Sequence, residues 1–273
     1  MKTIGLLGCG SIGTEIALAI DQGKITSAKL THIYDKSLIH AKNLISKLKT
    51  KPILVNNAAL LATSEVDLVV EAASQQAVRD FALTIIQNKK DLMILSVGAL
   101  VDESIFDVLT EASRKFNTNI FLPSGAIVGL DGIKSIKNEL RSITLVTKKN
   151  PTSFQGAKFF KNNKIKINDI QNPLILFDGT AKNAIPLFQQ NVNVAALLSL
   201  AGIGINKTNV KIIADPNLNK NLHIIKAQGE FGKITIKIEN NVSSNPKTSR
   251  LAILSAIECL RSICSTTNMF IGT

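Results

Sequence analysis

Three glycines, Gly8, Gly10 and Gly13, stand between two apolar stretches near the start of the chain, and Asp35 follows the last of them by about 20 residues. Met1 to Leu7 reads as a short strand, the run Gly8-Cys9-Gly10-Ser11-Ile12-Gly13 leaves it, and Thr14 to Ile20 continues as an apolar helix. Asp35 closes a second strand, Lys29 to Tyr34. The chemistry this spacing serves is the binding of a dinucleotide. Gly8 permits the tight turn, Gly10 lets a pyrophosphate approach the backbone, and Gly13 lets the helix pack closely on its strand. The amides of Ser11, Ile12 and Gly13 and the positive end of the helix attract phosphate charge. Asp35 can accept hydrogen bonds from both hydroxyls of a ribose, which favours NAD over NADP because a 2′-phosphate would meet a carboxylate. Lys36 beside it could tolerate that phosphate, so both cofactors stay open.

Other small-residue loops end later strands. Ala73 and Ser74 follow the fourth, where Ser74 could either lie against a cofactor or cap the next helix. Ser96 and Val97 follow the fifth. Pro123-Ser124-Gly125-Ala126 ends the sixth, where a nicotinamide carboxamide would meet backbone amides. Asn191 and Asn193 open a helix, and an amide there could cap it, hold a substrate carboxylate or contact the nicotinamide ribose. Of the three histidines, His32 falls within a strand and His40 on a surface helix. His223 follows the polar loop Asp215 to Asn221 and is expected to begin a strand at the edge of a cleft, where an imidazole of ordinary pKa near 6.5 suits proton transfer.

Composition narrows the partners. The net charge of +12 is spread along the chain, and its densest patch, Lys158 to Lys166, reads as an exposed strand and its turn. With no tryptophan and one tyrosine, stacking platforms for bases are scarce, so nucleic acid is not expected as a partner. A positive field would still attract anionic cofactors and acids. No apolar run approaches the roughly 20 residues of a membrane span. The chain starts on a strand rather than a signal peptide, so a soluble, cytoplasmic protein is expected. Three cysteines without metal-ligand spacing leave no disulfide framework and no metal site.

Positioning these residues takes two layered units. Strands are expected at Thr3 to Leu7, Lys29 to Tyr34, Pro52 to Val55, Leu68 to Ala72, Leu92 to Ser96 and Asn119 to Leu122, with helices at Leu38 to Leu48, Gln76 to Asn88 and Glu103 to Phe116. That alternation predicts an α/β Rossmann domain with a doubly wound parallel sheet over residues 1–123. Residues 124–244 read as a smaller α+β domain with an open sheet covered by helices on one face. It has helices at Ile133 to Leu140, Ala181 to Phe188 and Val194 to Leu200. Its strands are Ile143 to Thr147, Val210 to Ala214, His223 to Gln228 and Lys233 to Ile238. A last helix, Lys247 to Cys264, places residues 245–273 back on the first domain.

Taken in order, GCGSIG, EAASQQAV, LSVGAL, SGAIVGLDG, QQNVNVAA, ADPNLNKNLHIIKAQGEFG and NPKTS span almost the whole chain. Together they resemble the L-aspartate dehydrogenase family. The resemblance implies NAD(P)-dependent, reversible oxidative deamination of L-aspartate to iminoaspartate, and so to oxaloacetate and ammonia, in connection with NAD biosynthesis. It also implies His223 as the catalytic residue, Ala126 and Asn193 as cofactor contacts besides the glycine turn, and a homodimer. This chain has Ile224 and Ile225 after His223 where the family commonly has a glutamate and an isoleucine, and Gln190 where a basic residue is common. Lys247 and Thr248 are candidates for the substrate carboxylates. A dihydrodipicolinate reductase-like or homoserine dehydrogenase-like enzyme, or a non-catalytic NAD-sensing module, would fit the same glycine turn.

Overall fold

The computed structural model describes residues 1–188, 193–241 and 249–266. They form two compact units, one of residues 1–123 with the C-terminal helix from Ile253, the other running from Ser124 to Ala252.

The first unit is built from β1 (Lys2–Leu7), α1 (Ser11–Asp21), β2 (Ala28–Tyr34), α2 (Leu38–Lys47), β3 (Ile53–Leu54), α3 (Ala59–Thr63), β4 (Leu68–Glu71), α4 (Gln75–Gln87), β5 (Asp91–Ile94), α5 (Glu103–Phe116) and β6 (Ile120–Phe121). All pairings are parallel, in the order β3-β2-β1-β4-β5-β6. The order reverses between β1 and β4, the switch point where such sheets bind ligands beyond their strand ends. The central strands are continuous apolar runs because both faces are covered. Leu68, Val69 and Val70 of β4 are wholly buried, each stabilising the fold by about 1.5–3 kcal/mol. Local signals set the helices. Asp102 caps α5 by accepting from Ser104 N–H, and Asn117 ends it in the left-handed region. The short α3, between β3 and β4, has no counterpart in the sequence reading.

The second unit contains α6 (Leu130–Ser135), β7 (Leu140–Lys149), α7 (Lys158–Asn163), β8 (Leu174–Thr180), α8 (Ala181–Leu187), α9 (Asn193–Ala201), β9 (Thr208–Ala214), β10 (Lys220–Gly229), β11 (Gly232–Asn241) and the first turn of α10 (Arg250–Cys264). Its mixed sheet runs β11-β10-β7-β9-β8, with β7 and β9 parallel and the other neighbours antiparallel. Period-two alternation buries Ile143, Leu145, Val210, Ile212, Ile225 and Ala227 on one face. The rest of α10 returns to the first unit, where Ala256, Leu260 and Cys264 join the core of Ile4, Ile16 and Ile33.

Three expectations change here. Lys158 to Lys166 is not an exposed strand: it opens with the helix α7, in which Phe159 and Phe160 are buried. Adjacent residues point to opposite faces of a strand, whereas one helical turn lets both rings reach the core. Phe159 stacks on Phe188 at 5.2 Å and meets Phe160 edge-on at 5.5 Å. The helix expected at Ile133 to Leu140 stops at Ser135, and Leu140 already belongs to β7. His223 does not begin its strand, which starts at Lys220. The edge strand β8 is one that the sequence pattern does not mark. Among the described residues no helix is long and apolar enough to cross a membrane.

Candidate active site

The glycine turn is a cradle whose shape depends on missing side chains. Gly8 has φ +104°, and a Cβ there would lie 2.7 Å from the Ala72 carbonyl oxygen. A Cβ on Gly13 would lie 2.0 Å from the Gly8 carbonyl oxygen, so α1 packs against the turn in a way no other residue allows. Nothing stands within 4 Å of a Cβ on Gly10, which is exposed. That open space over the start of α1 is where a phosphate would approach. No side chain caps α1, so Ser11, Ile12 and Gly13 head the helix with amides directed out of its end.

Asp35 reaches back to this turn. Its Oδ2 accepts from Cys9 N–H at 2.7 Å and its Oδ1 from Ser37 N–H at 2.7 Å. The carboxylate is thereby fixed beside the glycines, and each oxygen keeps a further lone pair for a ribose hydroxyl. Cys9, buried beside it, has its thiol pushed up to about 12 by burial and then by the Asp35 charge, so it is inert.

A residue that the sequence reading missed, Glu71, organises the next two loops. It ends β4, is 1% exposed and accepts five hydrogen bonds. Its Oε1 takes Ala73 N–H at 2.8 Å, Ser74 N–H at 2.9 Å and the Ser96 hydroxyl at 2.9 Å. Its Oε2 takes Ser96 N–H at 2.9 Å and Leu95 N–H at 3.2 Å. Burial pushes the carboxyl pKa up, and the five donors pull against that. The amides of Ala73, Ser74 and Ser96 are therefore turned inward to Glu71. Ser74 Oγ caps α4 by accepting from Ala77 N–H at 3.1 Å. Val97 is buried at the start of a short 3₁₀ turn. The signal was present in the sequence: an acidic residue closing the apolar run Leu68 to Val70, with only small residues after it. The structure thus gathers Gly8 to Gly13, Asp35, Ala73, Ser74, Ser96 and Val97 at one end of the first sheet.

The remaining predicted residues lie in the second unit. Ala126 is buried in the turn closed by Ile127 N–H on the Ser124 carbonyl. Asn193 heads α9 and is exposed. Asn191, Lys247 and Thr248 lie outside the described residues. His223, the fourth residue of β10, is 2% exposed rather than open at a strand edge, and its Nδ1 lies 3.0 Å from Thr147 Oγ1 on β7. Burial, reinforced by the charge of Lys149, brings its pKa down to about 3. The expectation of an ordinary pKa near 6.5 is corrected accordingly. The ring is neutral at any physiological pH and holds a lone pair ready to accept a proton.

Two family models match the chain. Residues 131–263 match "Aspartate dehydrogenase, C-terminal", and residues 8–123 match "Homoserine dehydrogenase, NAD binding domain". The L-aspartate dehydrogenase of Nitrosopumilus maritimus is 58% identical over 97% of both chains. The chain belongs to the L-aspartate dehydrogenase family. The L-aspartate dehydrogenase of Methanococcoides burtonii is 47% identical over 96% of this chain and 97% of its own. The crystal structure of aspartate dehydrogenase from Thermotoga maritima superposes with a TM-score of 0.76 at 27% identity, covering both chains fully. The family fold, a Rossmann domain plus a mixed-sheet domain, is the one described above.

Proposed function

We propose that this protein oxidatively deaminates L-aspartate with a nicotinamide dinucleotide, reversibly, giving iminoaspartate and then, by hydrolysis, oxaloacetate and ammonium. The observation that carries this is kinship at 58% identity along essentially the whole of both chains, with both units matched. The glycine cradle and Asp35 fit the diphosphate and ribose of the cofactor, and the Asp35 carboxylate favours NAD over NADP. When bound, the nicotinamide supplies the hydride acceptor.

His223 is the base in this reading. The substrate amine must lose a proton before its lone pair can assist hydride departure from Cα. In the tautomer whose Nδ1–H donates to Thr147 Oγ1, Nε2 keeps its lone pair for that proton. A pKa of about 3 makes the free ring a weak base, and a dicarboxylate beside it raises the pKa by offsetting the Lys149 charge. Because the ring is 2% exposed, its face must open to admit substrate. The same imidazole can then help water attack the imine carbon. Ala126 and Asn193 serve as cofactor contacts, the working unit is a homodimer in the cytoplasm, and the reaction serves NAD biosynthesis.

The test follows reduced-nicotinamide absorbance with aspartate plus NAD or NADP, then with oxaloacetate, ammonium and NADH. Turnover is expected in both directions, with higher kcat/KM for NAD. His223→Ala is expected to bind NADH normally and lose about 10²–10⁴-fold in rate. Wild-type turnover by that variant removes His223 from the mechanism, and inactivity of the native protein on aspartate removes the function.

A further inference from the structure

The buried face of the second sheet changes character at one end. His223 pairs with Thr147 on β7 and Ile238 on β11, and Thr147 pairs with Ile212 on β9. One pleat further along, Asn221 pairs with Asn240 on β11, and Lys149 with Ala214 on β9. Leu222 pairs with Lys148, so Asn221 and Lys149 are the next residues on neighbouring strands. Asn240, Asn221 and Lys149 thus form one row across three strands, directly beside the row that carries His223. All three are buried, at 7%, 1% and 5% exposure.

This row is chemically incomplete. Both amide atoms of Asn221, Nδ2 and Oδ1, are buried without a hydrogen-bond partner, and so is Nδ2 of Asn240. Buried polar side chains are normally satisfied, so orphaned atoms call for an explanation. Lys149 brings a cationic group into the same row, and burial holds its pKa down to about 8, which leaves it mostly charged at neutral pH. The orphans are two donors and one acceptor, next to an ammonium and one row from an imidazole. That set is complementary to an amino acid: a carboxylate for the two amide N–H groups and the ammonium, and an amine N–H for Asn221 Oδ1. A cavity of about 220 Å3, lined by Asn150, Ser153 and Asn221 among others, lies at this end of the sheet.

We propose that Lys149, Asn221 and Asn240 are the subsite that holds a carboxylate of the substrate, with Asn221 bridging to its amine and presenting that amine to His223. The proposal rests on the aspartate reading given above. Two residues along a strand span about 7 Å, and a molecule as small as aspartate, its amine and carboxylates about 3–5 Å apart, bridges the two rows with hydrogen bonds of about 3 Å at its ends. The row fixes orientation and affinity, and His223 moves the proton.

Lys149→Met, Asn221→Ala and Asn240→Ala test it through steady-state kinetics with aspartate and NAD, calorimetric titration of NADH, and thermal melts. KM for aspartate is expected to rise about 10- to 100-fold in each, the scale of a lost hydrogen bond to a charged group, while the NADH Kd stays at the native value. Because β11 is an edge strand, Asn240→Ala keeps the test decisive should a substitution at the centre of the row fail to fold. A folded Lys149→Met or Asn240→Ala with native KM overturns the subsite. Loss of NADH binding in step with KM overturns it too, since that marks a structural role. A native protein that turns over aspartate while these variants keep its KM refutes the subsite alone, whereas a native protein inactive on aspartate refutes the reading beneath it.

Discussion

Replacing Glu71 with glutamine keeps the side-chain volume and removes one acceptor from a site surrounded by donors. The native carboxylate receives three donors on Oε1 and two on Oε2. A glutamine has one oxygen and an NH2 group. Placed with its oxygen at the Oε1 position, it keeps three bonds and turns two hydrogens toward the N–H groups of Leu95 and Ser96. Leu95 N–H still has the Glu71 carbonyl at 3.2 Å, so the Ser96 N–H is the one left unsatisfied. That orphan costs about 1–3 kcal/mol. Three charge-assisted bonds become neutral ones, roughly half as strong, for about 1–2 kcal/mol more. Relief from burying a charge offsets about 1–2 kcal/mol of this. The net destabilisation is about 1–3 kcal/mol, which lowers the melting temperature of a unit of this size by roughly 3–10 °C. Because Glu71 holds the loops after β4 and β5 in register, NADH affinity is expected to fall about tenfold. Scanning calorimetry and titration calorimetry on Glu71→Gln read both numbers. A melting temperature within ~2 °C of native with unchanged NADH affinity refutes the reasoning, for burial would then have won and the carboxyl would sit there as a neutral acid.

Two further outcomes follow from the same geometry. Gly13→Ala places a methyl against the Gly8 carbonyl and is expected to cost about 2–4 kcal/mol in a denaturant melt. Gly10→Ala meets nothing within 4 Å and falls on extended backbone with φ −71° and ψ −163°, which any residue adopts, so it should melt like the native protein yet bind NADH at least tenfold more weakly. For pH, His223 has a folded pKa of about 3 against an ordinary 6.5, so the unfolded chain alone takes up that proton as pH falls between them. Stability from this group is complete above about pH 6.5 and declines below it by about 1.4 kcal/mol per unit. Denaturant midpoints at pH 6.5 and 5 should show a drop of about 2 kcal/mol that His223→Gln lacks. An equal drop in that variant shows that other groups set the acid limit.

The first sheet was legible because its signals are local. Each strand is a short apolar run, Ser74 and Asp102 cap α4 and α5, and the Gly8 to Asp35 spacing belongs to one β-α-β unit. What was not legible there is convergence. Glu71 reads as one more polar residue until the fold brings Ser74 and Ser96 to the same carboxylate. In the second unit the losses have another cause. β8 is an edge strand whose Leu174 and Ile175 are exposed, so its sequence carries little alternation. The α7 segment is rich in lysine because only the adjacent Phe159 and Phe160 face inward, and a two-residue apolar signal does not specify a period.

The row beside His223 shows how far strand phase alone can reach. On β7 the inward positions Ile143 and Leu145 extend, two residues at a time, to Thr147 and Lys149. On β10 Ala227 and Ile225 extend back to His223 and Asn221, and on β11 Ile238 extends to Asn240. Each strand taken by itself offers an ordinary explanation, since polar residues near a strand end are expected to face water. Only the register puts all five on one buried face, Thr147 with His223 in one row and Lys149, Asn221 and Asn240 in the next. Three neighbouring strands that abandon apolar side chains at one level give up hydrophobic stabilisation together and leave amide atoms unpartnered, and chance substitution in one strand does not produce that. A fold departs from local consistency where a ligand restores the balance. The place where strand pattern and polarity disagree is therefore the place where an amino acid fits.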